Sequence, residues 1–335
     1  MWRAALAWGA ALLLAACQKA PSPHVDQAYV FGTLVEISIT GTSPETAKAA
    51  SKAVLDEFYR LHNAYHAWQP SELSQLNAAI AAGRADIPVS AELAHILDET
   101  QRWSKLADGL FDPAIGGVVA LWGFHADGRE VVPAPADITR WRNSRPRVRD
   151  LSLRDGRVSS ANRAVQLDLG GYLKGYALDR AAAILRDAGI RNALINIGGH
   201  VMALGNKNGE PWLVGLQHPR RAGLIASVEL HDGEALGTSG DYQRYFIAGG
   251  QRHHHLIDPN TGEPARHHQM VSVIAGGDNA GVRSDVASKP LFIGDPANFD
   301  PLAQRLGVAA LRVDANAALH FSQGAAGRFE LVEER

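Results

Sequence analysis

Residues 29–40 alternate apolar and polar side chains and are rich in β-branched types, which predicts a half-buried strand. The period then lengthens: Ala47, Ala50, Val54, Leu55, Phe58 and Leu61 form one stripe of a helix over residues 44–67. A second helix is predicted over 90–107, with Ser90 as N-cap and Glu92 placed for the helix dipole. Further strand patterns fall at 165–169, 192–197, 212–217, 227–230 and 271–275. A helix at 175–188 is closed by Gly189, and 282–293 is helical at least in part. Residues 127–163 are polar, Pro-dotted and basic, and read as surface elaboration. Helices and strands mix without strict βαβ alternation, so the expected fold is α+β, with mixed sheets and packed helices.

The apolar pattern at the N-terminus has a different character. Arg3 precedes an apolar run from Ala4 to Leu14, which ends in Leu14-Ala15-Ala16-Cys17. A positive start, a short apolar run and small residues before a cut describe an export signal. The run is too short to cross a bilayer as a lasting helix. Leu-Ala-Ala-Cys is similar to a bacterial lipobox, in which the cysteine is lipidated and becomes the mature first residue. The competing reading is a buried N-terminal helix with a chance cysteine. The expected organisation is therefore a signal peptide at 1–16, a lipidated Cys17 and tether at 17–28, and one domain at 29–335. That would anchor the chain by lipid on the periplasmic side of a bacterial membrane, inner or outer.

Composition narrows the partners. Lys and Arg total 33 against 35 Asp and Glu, so the surface has no general field for nucleic acid, and a nucleic-acid role is not expected. Cys17 is the only cysteine, so the mature domain has no disulfide and no thiol catalyst.

Four stretches carry candidate chemistry. Asp168-Leu169-Gly170-Gly171-Tyr172-Leu173-Lys174-Gly175 follows a predicted strand and opens a helix. Outward backbone N–H groups and small glycines there suit a phosphate, with Lys174 adding charge; a plain tight turn is the other reading. Thr238-Ser239-Gly240-Asp241-Tyr242 offers hydroxyls and an acid, although most such stretches are turns. In His253-His254-His255, neighbours on a strand face opposite ways, so only His253 and His255 could share a ligand, and His254 is a bystander. One of these histidines, ahead of Asp258-Pro259, can serve as a general base near neutral pH. His267 and His268 are expected on a solvated loop. Finally, Asp285 and Lys289 stand four apart on a helix: an ion pair in one reading, a carboxylate ligand for Mg²⁺ in the other.

In this order, the blocks resemble the FAD:protein FMN transferase (ApbE) family from about residue 29 to the C-terminal region. The matching stretches are Phe31-Gly32-Thr33, Ser71-Glu72-Leu73-Ser74-Gln75-Leu76-Asn77, Gly109-Leu110-Phe111-Asp112-Pro113 and Leu121-Trp122-Gly123-Phe124. They continue through residues 168–179, Asn196-Ile197-Gly198-Gly199, Thr238 to Tyr242, and His255-Leu256-Ile257-Asp258-Pro259. The resemblance implies that Mg²⁺-bound FAD is split at its pyrophosphate and FMN passes to a threonine hydroxyl of a partner protein, releasing AMP. It implies an acceptor flavoprotein subunit of a membrane electron-transport complex as partner. By the same resemblance, Gly109, Leu110, Phe111, Asp168, Lys174 and Ile257 line the FAD site, several through backbone atoms. Gly171 offers its carbonyl and Asp285 its carboxylate to Mg²⁺, and His255 activates the acceptor hydroxyl with Asp241 nearby.

Two positions depart from the family. Phe31 stands where Met is usual, and Lys289 stands where a threonine metal ligand is expected. Protonated lysine has three donors and no acceptor, so it cannot ligate Mg²⁺. Its ammonium can take the cation's place, or Ser284 or Ser288 can supply the oxygen, or flavin binding persists with catalysis weak or lost. The alternative functions are thus an FAD-hydrolysing or non-catalytic flavin-binding lipoprotein, or a lipid-anchored module unrelated to flavin.

Overall fold

The computed structural model describes residues 22–126, 128 and 131–332. The predicted signal peptide and the lipidation site at Cys17 lie outside the described residues. The alternating stretch at 29–40 is not one strand. β1 (His24–Val30) and β2 (Thr33–Thr40) pair antiparallel around Phe31 and Gly32, both at positive φ, 56° and 72°. A two-residue hairpin turn of this hand needs the left-handed region at its centre, where phenylalanine is unusual. β1 also takes up residues 24–28, which the pattern had assigned to the tether.

The chain continues through α1 (Pro44–Ala64), α2 (Glu72–Ala81), β3 (Ile87–Pro88), α3 (Ala91–Leu106), α4 (Gly116–Leu121) and α5 (Pro135–Ser144). α1 buries Ala47, Ala50, Val54, Phe58 and Leu61 on the predicted stripe, and Ser43 caps it by accepting the Thr46 N–H. α2 opens on a reciprocal capping box between Ser71 and Ser74. β4 (Leu151–Arg154) and β5 (Arg157–Ser160) join β3 in a small sheet, so residues 135–160 of the 127–163 stretch are structured rather than mere elaboration. Its short strands and the ten-residue α5 give too weak a period to read in advance.

Then come α6 (Leu173–Asp187), β6 (Asn192–Ile197), β7 (His200–Leu204), β8 (Trp212–Gln217), β9 (Leu224–Leu230), β10 (Ala235–Gly240), β11 (Tyr245–Ala248), β12 (Gln251–His254) and β13 (His268–Ala275). α7 (Ala280–Ile293), α8 (Phe299–Leu306), β14 (Ala309–Asp314), β15 (Leu319–Phe321) and β16 (Phe329–Leu331) complete it. An eight-stranded antiparallel sheet runs β1-β2-β6-β7-β10-β13-β14-β15, beside a three-stranded sheet β16-β9-β8 and the hairpin β11-β12. The architecture is α+β, as predicted.

β13 is buried along its whole length because both its faces are covered. Val271 and Val273 pack with Ala287, Leu291 and Phe292 of α7, while Met270 and Ile274 pack with Trp212 and Leu216 of the second sheet. Period-2 alternation thus sends alternate residues into two different cores. His268 is the first residue of this strand, not part of a solvated loop: it is 2% exposed and donates Nδ1–H to the Phe292 carbonyl at 2.8 Å. Residues 165–169 contribute one parallel bridge, Gln166 to Ile115, instead of a strand. No helix among the described residues is long and apolar enough to cross a membrane.

Candidate active site

Two local devices place the glycine turn. Asn77 on α2 donates to the Leu167 carbonyl at 2.9 Å and accepts the Leu167 N–H at 2.7 Å, which straightens the chain before Asp168. The Asp168 N–H then bonds the Pro113 carbonyl at 2.7 Å, tying the turn to the 109–113 loop. That loop leaves α3 through Asp108 and Gly109 at φ 53° and 75°. It is braced by Asp112, whose Oδ1 accepts the N–H groups of Ala114 and Val148, each at 2.9 Å. Burial lifts the Asp112 carboxyl to about 6 against those two bonds. Asp168 accepts the Gly170 N–H at 2.8 Å, and burial raises its carboxyl above the ordinary range.

At the turn itself three segments converge. A Cβ on Gly171 would lie 3.5 Å from the Phe111 ring and 3.6 Å from Cε of Lys289. Leu110 of the same loop packs toward α7, 3.2 Å from where a Cβ on Gly294 would stand. Gly109, Leu110, Phe111, Asp168 and Gly171 thus form one wall, with α7 opposite.

α7 is held unusually close. A Cβ on Gly175 would collide with the Gly281 carbonyl, and one on Gly237 of β10 with the Ser284 carbonyl. Asp179 of α6 caps α7 by accepting the N–H groups of Gly281 and Val282 at 2.8 and 2.9 Å. This approach drives Asp285 into the junction, fully buried, with Oδ2 accepting the Gly175 N–H at 2.8 Å. The Lys289 ammonium bonds Asp285 twice, at Oδ1 as an ion pair and at the main-chain carbonyl at 2.8 Å. Burial alone would raise the Asp285 carboxyl, but Lys289, His200 and Lys174 outweigh it and hold it below its ordinary value. Burial, only partly opposed by Asp285, keeps His200 at about 3 and hence neutral, and its Nδ1 stands 3.6 Å from Asp285 Oδ1. Among the described residues that Nδ1 has no hydrogen-bond partner. Lys174, in the first turn of α6, is lowered to about 8 by burial, against the pull of Asp285.

These residues do not fit a Mg²⁺ ion. Both oxygens of Asp285 are engaged, one by an ammonium, and lysine offers no lone pair. The hydroxyls of Ser284 and Ser288 donate to helix carbonyls, of Gly281 at 3.0 Å and Asp285 at 2.7 Å, and Ser288 also meets Ser239 at 2.8 Å.

The histidine run divides three ways. His253 is stacked between Trp122 and Phe246, with ring centroids 5.1 and 5.2 Å away. His254 donates to the Ala265 carbonyl at 2.6 Å and accepts the Leu256 N–H at 3.3 Å. His255 lies just past β12, with Nδ1 3.2 Å from the Arg244 carbonyl. A carbonyl only accepts, so Nδ1 carries the hydrogen and Nε2 keeps the lone pair. Burial, then the charges of His254 and Arg244, push His255 well below its ordinary value. Lys174 acts on both His255 and Asp285, which places them in one electrostatic neighbourhood. Ile257 is buried among Trp122, Phe124 and Trp141, so its side chain serves packing.

Asp241 does not bond His255 among the described residues. It forms a two-pronged pair with Arg220, at 2.6 Å on each oxygen. Arg220, Arg244 and His200 carry no motif signal and were not singled out from sequence. Arg244 bonds the Phe124 carbonyl at 2.7 Å, and its charge acts on Asp168, Lys174 and His255.

A glycine turn with Lys289 packed against it and the charges of Lys174 and Arg244 acting nearby can meet the charge of a phosphorylated ligand, beside a neutral base. Comparison with known proteins narrows this. The model of the ApbE family matches residues 31–312. The chain is 41% identical to the FAD:protein FMN transferase of Rhodobacter capsulatus over 99% of its own length, spanning 64% of that relative. It is 31% identical to the FAD:protein FMN transferase of Haemophilus influenzae, covering 84% of each chain. The crystal structure of the ApbE protein of Thermotoga maritima superposes with a TM-score of 0.83 at 29% identity, covering 90% of this chain and 97% of that one. The apo flavinyl transferase ApbE of Pseudomonas stutzeri gives 0.77 at 27% identity, covering 92% and 96%. The chain belongs to the ApbE family.

Proposed function

We propose that the chain is a flavin transferase that moves FMN from FAD to a threonine hydroxyl of a partner flavoprotein and releases AMP. The observation that carries this reading is the meeting of Phe111, Gly171, Lys289 and Asp285 at one turn, with Lys174 acting on both Asp285 and His255. The name FAD:protein FMN transferase, borne by the relatives above, supports it.

In the transfer, the threonine oxygen forms a bond to the FMN phosphorus while the bond from that phosphorus to the bridging oxygen breaks. AMP leaves with the bridging oxygen, and the hydroxyl proton passes to Nε2 of His255. Lys174 and Arg244, beside the glycine turn, hold the diphosphate and meet the charge that builds on the leaving phosphate. The Arg220–Asp241 pair braces the start of the segment that carries Arg244. Mg²⁺, which the family resemblance implies, would supply charge neutralisation; the donor set here gives it no seat, and no step depends on it.

A second reading has water in place of threonine, or flavin held without cleavage, and is favoured by the closed Asp285–Lys289 pair. Incubating the purified mature chain with FAD and a threonine-bearing acceptor separates these. Flavin fluorescence retained on the denatured acceptor supports transfer, free FMN and AMP support hydrolysis, and tight unaltered FAD supports a carrier.

The acceptor is a flavoprotein subunit of a membrane electron-transport complex, and the chain is anchored by lipid at Cys17 on the periplasmic side. The lipobox-like Leu14-Ala15-Ala16-Cys17 supports the anchor. Labelled palmitate entering the wild type but not Cys17→Ser tests it.

A further inference from the structure

We infer that the Lys289 ammonium is the resident cation of this site, and that the chain binds its nucleotide diphosphate without a divalent metal. The inference rests on the reading of the site as an FAD site and concerns how the diphosphate charge is met there.

Mg²⁺ demands near-octahedral oxygens at about 2.0–2.1 Å with free lone pairs. The carboxylate beside Lys289 is Asp285, and the Gly175 N–H holds one of its oxygens while Lys289 holds the other. Displacing Lys289 to admit a metal would leave its ammonium, whose side chain is only 14% exposed, beside a second positive ion. Displacing the Gly175 N–H would mean separating α6 from α7, which touch there backbone to backbone. Neither adjustment is small.

The ammonium is placed to do the metal's work itself. Two of its three N–H groups go to Asp285, at Oδ1 and at the main-chain carbonyl, which leaves one for a ligand oxygen. Its methylenes run alongside Gly171, where the backbone comes closest. Asp285 then acts as a positioning residue: it fixes the ammonium by the i,i+4 geometry of α7 instead of ligating an ion.

FAD titrated into the full mature chain, with flavin fluorescence as readout, tests the inference in chelator and again in Mg²⁺. The expected result is the same affinity in both, and no rise in Tm when Mg²⁺ is added alone. Lys289→Met is expected to weaken FAD about tenfold or more in both buffers, in line with the loss of one charge-assisted hydrogen bond. Lys289→Thr is expected to bind weakly in chelator and to recover with Mg²⁺. Wild-type affinity that collapses in chelator and returns with Mg²⁺ overturns the inference and leaves the transferase reading standing. Either variant keeping full affinity in chelator overturns it too. Absence of FAD binding in both buffers sinks the FAD reading itself, and the inference with it.

Discussion

Asn77 and Leu167, ninety positions apart in the chain, close a two-way amide clasp: the side chain both gives to and takes from the main chain of one residue. Both atoms on the Leu167 side are buried, so neither has water as a substitute. Asn77→Ala is expected to destabilise the fold by about 2–5 kcal/mol, because each orphaned buried group costs roughly 1–3 kcal/mol. FAD affinity should fall with it, since the clasp sets the glycine turn. Urea unfolding checks the first and flavin titration the second; an alanine variant of wild-type stability would refute the clasp's role.

His255→Ala is expected to lower transfer by about 10²–10⁴-fold, the usual contribution of a placed base, while FAD affinity stays near wild type. Because burial keeps His255 well below 6.5, the ring holds its lone pair under mildly acid conditions. The transfer rate should therefore stay level as pH falls through 6.5, where an ordinary histidine would gain its proton. A rate that drops by half near 6.5 would contradict this.

Asp112 and Asp179 are both raised from 3.8 to about 6, chiefly by burial. Between those values the folded chain holds protons that the unfolded chain has released. Their contribution to stability is thus full below about pH 4 and lost as pH rises through about 6. Asp112→Asn keeps both bonds to Oδ1 and removes the titration. The variant should gain stability relative to wild type on going from about pH 4 to about pH 7, by roughly 1–3 kcal/mol. Parallel urea midpoints for the two proteins would count against it.

Gly175→Ala and Gly171→Ala separate packing from ligand contact. The first drives a methyl into the Gly281 carbonyl, and should cost about 1–3 kcal/mol or more. The second meets Phe111 and Lys289 at ordinary contact distance, 3.5 and 3.6 Å, so the fold should persist while FAD weakens. Thermal unfolding with and without FAD distinguishes them. Equal Tm losses would mean the two glycines share one role.

Much of this was legible from pattern. The α1 stripe, the capped α3 and the strand at 192–197 follow from period alone, and the Asp285–Lys289 spacing offered an ion pair as one of its two readings. The hairpin at Phe31 and Gly32 was hidden because phenylalanine gives no turn signal, and the alternation runs on unbroken in register. Residues 165–169 look like a strand but find their partners in Asn77, Pro113 and Ile115, which no local window contains. Arg220, Arg244 and His200 are single residues whose meaning is wholly positional. Asp241 illustrates the same limit: the family resemblance set it near His255, and the geometry pairs it with Arg220.

The three bare contacts at Gly175, Gly281 and Gly237 leave α7 no slack on either flank. A helix clamped backbone to backbone cannot slide to suit a new occupant. Whatever residue stands at position 289 is delivered to the same point in space, so exchanging it rewrites the chemistry of that point and leaves its location untouched.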